Sequence, residues 1–194
     1  MTNPKFKSRE NDHIVYQFES PSTGVKVKQE FWNSRSTAVV AFIFVYFNDK
    51  LHVLITKRSD TMMDSPGLYC VPSGYLNWDE NGHNAMMREL YEETGLYLPD
   101  YDDAILFDND RQPFYVNTNP SEVRQNVSLL YITVLNIEHD RTIKINEIMN
   151  DETTEVRFMS WDEFEVNNLE WAFNHDRRIR DAMIHYSNNI WNKI

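Results

Sequence analysis

The sequence predicts an α/β (α+β) domain: a mixed β-sheet held between helical layers, with an N-terminal β extension. Strand-length apolar runs recur between residues 37 and 159, and two amphipathic helical segments, residues 83–94 and 174–192, are interleaved with them. The chain has 194 residues, 41% of them hydrophobic and 13% aromatic, which is enough for one real core.

The elements follow in order. Residues 1–12 are polar and read as loose. Residues 13–18 and 25–31 read as two strands with a turn from Pro21 to Gly24, so residues 1–34 are expected to form a hairpin extension that packs on the core or at a homodimer interface. Residues 35–194 form the main domain. Residues 37–47 give the strongest strand; its apolar run is too short to span a bilayer. Asn48-Asp49-Lys50 turns the chain and residues 51–56 return antiparallel. Lys57 and Arg58 follow, then a turn at Asp64-Ser65-Pro66-Gly67, then residues 68–72. Residues 104–107, 125–136 and 154–159 read as strands, and 161–165 as a helical turn. Residues 108–122 form a long polar loop, and loops of that length often carry function. In the last helix, Ile179, Ala182, Met183, Tyr186 and Ile190 make a packing stripe.

A net charge of −11 argues against a nonspecific grip on nucleic acid or an anionic membrane. It leaves room for a small phosphorylated ligand. Cys70 is the single cysteine, so no disulfide framework exists within the chain and a reducing, cytoplasmic setting is expected. Cys70 sits in an apolar run and reads as a small core residue. The N-terminus has no apolar signal-like stretch. His13, His52, His83, His139, His175 and His185 show no ligand spacing.

The most informative stretch is residues 74–96, GYLNWDENGHNAMMRELYEETGL. Asn81 reads as an N-cap and Gly95 as a C-terminal stop. At about 100° per residue, Met86, Met87, Leu90, Tyr91 and Thr94 fall on one side. Glu89, Glu92 and Glu93 fall on the other. Two carboxylates about 6 Å apart repel by roughly 3 kcal/mol at an effective dielectric near 20. Arg88 relieves part of this, and a hard divalent cation would relieve more. An isolated E-x-x-E-E is common on solvated helices; the larger pattern carries more weight. Gly74, Glu80, Arg88, Glu89, Leu90, Glu92, Glu93, Gly95 and Leu96 fit G-x₅-E-x₇-R-E-U-x-E-E-x-G-U, where U is aliphatic. A chance match at one start is below about one in 10⁸.

The stretch resembles the signature box of the Nudix hydrolases. That resemblance implies the α/β/α Nudix sandwich and divalent-metal-dependent hydrolysis of a nucleoside diphosphate linked to another moiety. It implies Mg²⁺ or Mn²⁺ as cofactor. Glu92 and Glu93 would be metal ligands, Glu89 a ligand or the base, Arg88 their orienter, and Glu80 a support of the loop. The backbone carbonyl of Ser73 is a further expected ligand. Several Nudix enzymes take their base from a glutamate outside the box; here Glu147, Asp151, Glu152 and Glu155 are candidates. Glu152 is preferred because it immediately precedes the strand at 154–159. Arg58 stands where the family often has a phosphate-binding base.

The segment Leu169-Glu170-Trp171-Ala172-Phe173-Asn174-His175-Asp176 is similar to one in the ADP-ribose pyrophosphatase-like branch and in Nudix-related regulators of NAD metabolism. Asp110-Arg111-Gln112-Pro113 loosely resembles a loop of the same group. ADP-ribose or a nucleoside diphosphate sugar is therefore the expected small-molecule substrate, with Arg111, Phe114 and Tyr115 as candidate substrate contacts. The alternatives are a nucleoside triphosphate or dinucleoside polyphosphate pyrophosphohydrolase, or a Nudix-fold ligand sensor without turnover.

Overall fold

Strand alternation in one central segment organises the sheet. In β3 (Thr37–Phe47), Val39, Ala41, Ile43 and Val45 point to one face and Val40, Phe42 and Phe44 to the other, and all are buried. A strand buried on both faces needs a layer on each side. Each fully buried large side chain contributes roughly 1.5–3 kcal/mol.

The computed structural model describes residues 12–20, 22–33, 35–120, 125–138, 140–145, 151–166 and 168–191. It divides into two units, residues 1–36 and 37–194. In the first, β1 (Asp12–Glu19) pairs antiparallel with β2 (Lys26–Asn33), from Asp12↔Asn33 to Glu19↔Lys26. The turn between them places Gly24 at φ 65°, with its N–H donating to Ser20 O at 2.8 Å. The expected loose segment of residues 1–12 lies, apart from Asp12, outside the described residues.

In the second unit, β4 (Lys50–Arg58) turns back from β3 through Asn48 and Asp49, at φ 51° and 61°. Two consecutive left-handed residues suit a two-residue hairpin, and Asn and Asp tolerate that region. The short β5 (Tyr69–Cys70) pairs with β4, and β6 (Ser73–Tyr75) with the first part of β3. Helix α1 (Gly82–Thr94) follows. The Asn81 side chain accepts from Asn84 N at 2.9 Å, and Gly95 closes the helix at φ 70°. Next come β7 (Ile105–Phe107), β8 (Tyr115–Asn117), β9 (Val127–Ile137), β10 (Thr153–Ser160), α2 (Trp161–Val166) and α3 (His175–Trp191).

The sheet runs β10-β4-β3-β9-β7, with β8 also on β9. β3 and β9 are parallel along their whole lengths, Thr37↔Val127 to Phe47↔Ile137, while β4 and β10 are antiparallel to their neighbours. This is the mixed sheet expected. Ala85, Met86 and Leu90 of α1 cover the Val39–Ile43 face. Phe164 of α2 and Ile179, Ala182 and Tyr186 of α3 cover the Phe42–Phe44 face.

Three details depart from the sequence reading. Tyr91 was expected on the inward face of α1, but it is 54% exposed and meets Tyr97 edge-on, with centroids 6.0 Å apart. It lies a helical step to the flank of Leu90. Ile190, at the end of the α3 stripe, is exposed and stands outside the core cluster that holds Ile179, Ala182 and Tyr186. The loop at 108–122 contains β8, which pairs with β9 from Tyr115↔Leu130 to Asn117↔Ser128. Among the described residues no helix is long and apolar enough to cross a membrane.

Candidate active site

Arg88 sits at the centre of the glutamates of α1. Its Nη1 donates to Glu89 Oε1 at 2.8 Å and to Glu92 Oε2 at 2.9 Å. Its Nη2 donates to Glu80 Oε1 at 2.7 Å and to the Tyr75 carbonyl at 2.9 Å, and its Nε reaches Glu80 Oε2 at 3.2 Å. The planar fork makes this possible; a lysine could not hold the same set. Glu80 also accepts from Asn77 N at 2.7 Å, so it ties the loop before α1 to the helix. Both hydrogen bonds and the nearby charge hold the Glu80 carboxyl below the usual carboxylate range, and Arg88 is raised in return.

Glu93 is partly buried, and its carboxylate turns the other way. Its Oε2 accepts from Ser73 N at 3.2 Å. Burial pushes its pKa up to about 8; the Ser73 N–H opposes this, while the charges of Glu89 and Glu152 add to it. Glu89 is raised as well, chiefly by burial and against the pull of Arg88. Acid groups crowded this closely carry electrostatic strain that a cation would relieve.

Glu93 and Ser73 face a cavity of about 340 Å³ that is also lined by Arg58, Glu152, Phe173 and Arg178. It opens beside the first halves of β3 and β9 and the last residues of β4. Arg58 Nε donates to the Asp64 carbonyl at 3.0 Å, and its guanidinium lies 5.1 Å from the Phe173 ring centroid. The Glu152 carbonyl accepts from Ser59 N at 2.8 Å, which pins residue 152 at the rim.

Of the other base candidates, Glu155 is engaged away from the cavity, by Tyr69 Oη at 3.0 Å and Arg157 Nε at 2.8 Å. The Asp151 carbonyl accepts from Thr61 Oγ1 at 3.4 Å, and Asp151 is not in the cavity wall. Glu147 lies outside the described residues.

The remaining candidates are dispersed. Arg111 lines a separate cavity, of about 420 Å³, with His83, Tyr97 and Asp108. Phe114 packs into the core, edge-on to Phe42 with centroids 5.9 Å apart and against His185 at 5.1 Å. Tyr115 is 41% exposed on β8 under the guanidinium of Arg178, 5.2 Å from its centroid. The structure thus brings Arg58, Ser73, Glu93 and Glu152 together and leaves Arg111, Phe114 and Tyr115 out of their cavity. Phe173 and Arg178 line it without having been singled out as site residues. A left-handed Phe has no sequence signature, and Arg178 reads as one more charge on a helix surface.

Among the described residues, no three His, Cys, Asp or Glu side chains stand grouped as a metal site. The cause is visible: Arg88 draws Glu89 and Glu92 to itself, while Glu93 points to Ser73. The donors nonetheless suit a hard divalent cation, since all of them are carboxylate or carbonyl oxygens.

A family model for the NUDIX domain matches residues 37–182. The chain belongs to the Nudix family. Among solved structures, the Nudix domain of Shewanella oneidensis NrtR complexed with ADP-ribose superposes with a TM-score of 0.60 at 19% identity, covering 79% of this chain and 89% of that one. A bifunctional NMN adenylyltransferase/ADP-ribose pyrophosphatase from Francisella tularensis gives 0.58 at 22% identity, over 77% and 40%. These likenesses establish a common Nudix fold. The m7GpppN-mRNA hydrolase NUDT17 of Bos taurus is 45% identical over 47 residues, 24% of this chain. The match spans only 16% of that relative's length.

Proposed function

We propose that the protein is a divalent-metal-dependent Nudix pyrophosphohydrolase acting on a nucleoside diphosphate joined to a second moiety, with ADP-ribose as the leading substrate. The observation that carries this reading is the meeting of Glu93, Ser73, Arg58 and Glu152 around one cavity, beside the Arg88-held glutamates. The ADP-ribose complex of NrtR and the activity in the Francisella enzyme's name support the choice of substrate. A Francisella structure containing AMP and a manganese ion supports the choice of metal.

The metal would be held by Glu89, Glu92, Glu93 and the Ser73 carbonyl, and when bound it neutralises diphosphate charge and acidifies water. The chain's own residues do the rest. Arg88 orients Glu89 and Glu92 through charge-assisted hydrogen bonds. The Ser73 N–H fixes the direction of the Glu93 carboxyl. Arg58 offers positive charge to a substrate phosphate. Glu152 takes the proton from the attacking water, whose oxygen bonds to phosphorus as the P–O–P anhydride breaks. From ADP-ribose the products are AMP and ribose 5-phosphate.

The test is product analysis with Mg²⁺ or Mn²⁺ on a panel of ADP-ribose, other nucleoside diphosphate sugars, dinucleoside polyphosphates and an m7GpppN cap analogue. Glu93→Gln, which keeps the shape and removes the charge, serves as the blank. AMP and ribose 5-phosphate from ADP-ribose, lost on the substitution, are expected. Preferential cleavage of the cap analogue would replace the substrate while keeping the chemistry. No turnover of any member would overturn the reading.

A further inference from the structure

The backbone at Phe173 and Asn174 has no role in the scheme above. Phe173 stands at φ 59°, ψ 19° and Asn174 at φ 57°. Asparagine tolerates this left-handed region, but a bulky aromatic there is a genuine outlier. Strain of this kind persists only where the surroundings over-determine it, and it clusters at functional sites.

The flanking contacts show what imposes it. Trp171 forms a parallel bridge with Tyr69, whose N–H donates to the Glu170 carbonyl at 2.9 Å. Just beyond, buried His175 accepts from Val71 N through Nδ1 at 3.1 Å. Both anchors lie on the segment leading into the box glycine. Only Ala172, Phe173 and Asn174 connect them on the other side, and the chain makes the turn left-handed.

The consequence is the position of one ring. Phe173 is brought against the guanidinium of Arg58, 5.1 Å from Cζ to centroid. The Arg58 Nε is already tied to the Asp64 carbonyl at 3.0 Å. The guanidinium is thus held at one edge by a carbonyl and on one face by an aromatic, and Arg58 and Phe173 both line the cavity that contains Glu93. An arginine fixed before its ligand arrives loses less freedom on binding.

We propose that Phe173 is a positioning residue: a strained aromatic platform that fixes the Arg58 guanidinium for an anionic phosphate of the substrate and so sets affinity for the diphosphate. This rests on the hydrolase reading. Ordinary packing would make a different prediction, because glycine at 173 relieves the backbone strain while removing only the ring.

The experiment uses Phe173→Gly, Phe173→Tyr, Arg58→Met and the double variant Phe173→Gly/Arg58→Met, assayed with ADP-ribose and Mg²⁺ and followed by thermal unfolding. Phe173→Gly is expected to raise KM about tenfold, the scale of one desolvated cation–π contact, with kcat within about twofold. Phe173→Tyr keeps the wild-type KM. Phe173→Gly adds no further rise once Arg58 is methionine, because the ring acts through that guanidinium. An unchanged KM in Phe173→Gly, or rises that simply multiply in the double variant, would overturn the platform. So would loss of activity that tracks unfolding in both Phe173 variants. A wild-type protein inert towards every substrate of the panel overturns the hydrolase reading and the platform together. Normal wild-type turnover with insensitive Phe173 variants overturns the platform alone.

Discussion

Glu89 lays its carboxyl group against the bare Cα of Gly74: a β-carbon at residue 74 would stand 2.1 Å from the Glu89 carboxyl carbon. The box glycine is therefore a matter of space. Gly74 pairs with Val39 in the short β6 ladder, so the backbone cannot back away without breaking a sheet contact.

Gly74→Ala forces Glu89 to swing out and strips Arg88 Nη1 of its 2.8 Å partner. Displacements near 1 Å at a reacting centre cost roughly 10²-fold in rate, and that loss in kcat is expected. The fold should weaken by about 1 kcal/mol, the scale of one lost hydrogen bond, because the displaced atoms are the end of a flexible side chain. Urea unfolding and initial rates on the same preparation check both. Full turnover by Gly74→Ala would show that Glu89 need not stand where it does.

A second prediction concerns Arg88, whose single guanidinium serves Glu80, Glu89, Glu92 and the Tyr75 carbonyl. Arg88→Lys keeps the charge and loses the fork. In EDTA it should destabilise the protein by about 1 kcal/mol, below the range for buried charge-assisted bonds because Arg88 and Glu92 are 25% and 56% exposed and solvent screens the pair. Added Mg²⁺ should then raise the unfolding temperature more in Arg88→Lys than in wild type, since carboxylates released by the arginine turn to the cation. Thermal unfolding by circular dichroism with EDTA or MgCl₂ measures the difference. Equal shifts in the two proteins would remove the competition between arginine and metal.

The sequence carried the features that depend on pattern. Alternation in β3 and the α3 stripe reflect what each element must bury. The Asn81 and Gly95 caps follow from local hydrogen bonding. What it could not carry depends on distant segments meeting. β6 contains a glycine and β8 is three residues long, and each exists because β3 or β9 offers it a ladder. The Glu152–Arg58 neighbourhood arises from the antiparallel register of β10 on β4, which sets Thr153 opposite Arg58. Phe114 in a polar loop is a candidate substrate contact by sequence, yet in the structure it packs against Phe42 and His185 in the core. Nothing local distinguishes those two fates.

The third prediction follows from Cys70. The thiol is 3% exposed and shares a 3.1 Å hydrogen bond with Thr56 Oγ1. Burial, aided by the charge of Glu93 and opposed by the Thr56 bond, pushes its pKa up to about 12. An unfolded cysteine ionises near 8.5. Above that pH the unfolded chain gives up a proton that the folded chain keeps, so the folded state binds more protons and stability falls as pH rises. The contribution is fully present below about pH 8.5 and declines by up to roughly 1.4 kcal/mol per pH unit toward 12. Tyr186, raised mainly by burial to about 12, adds a similar decline above its ordinary value of 10.0. Urea unfolding of wild type and Cys70→Ala at pH 7, 9 and 10 separates the two, because only the cysteine part disappears in the variant. The wild-type curve should fall more steeply between pH 9 and 10 than the Cys70→Ala curve. Parallel curves, or rapid reaction of the native thiol with a disulfide reagent at pH 8, would mean that this sulfur is not shut in the core between β4 and β5.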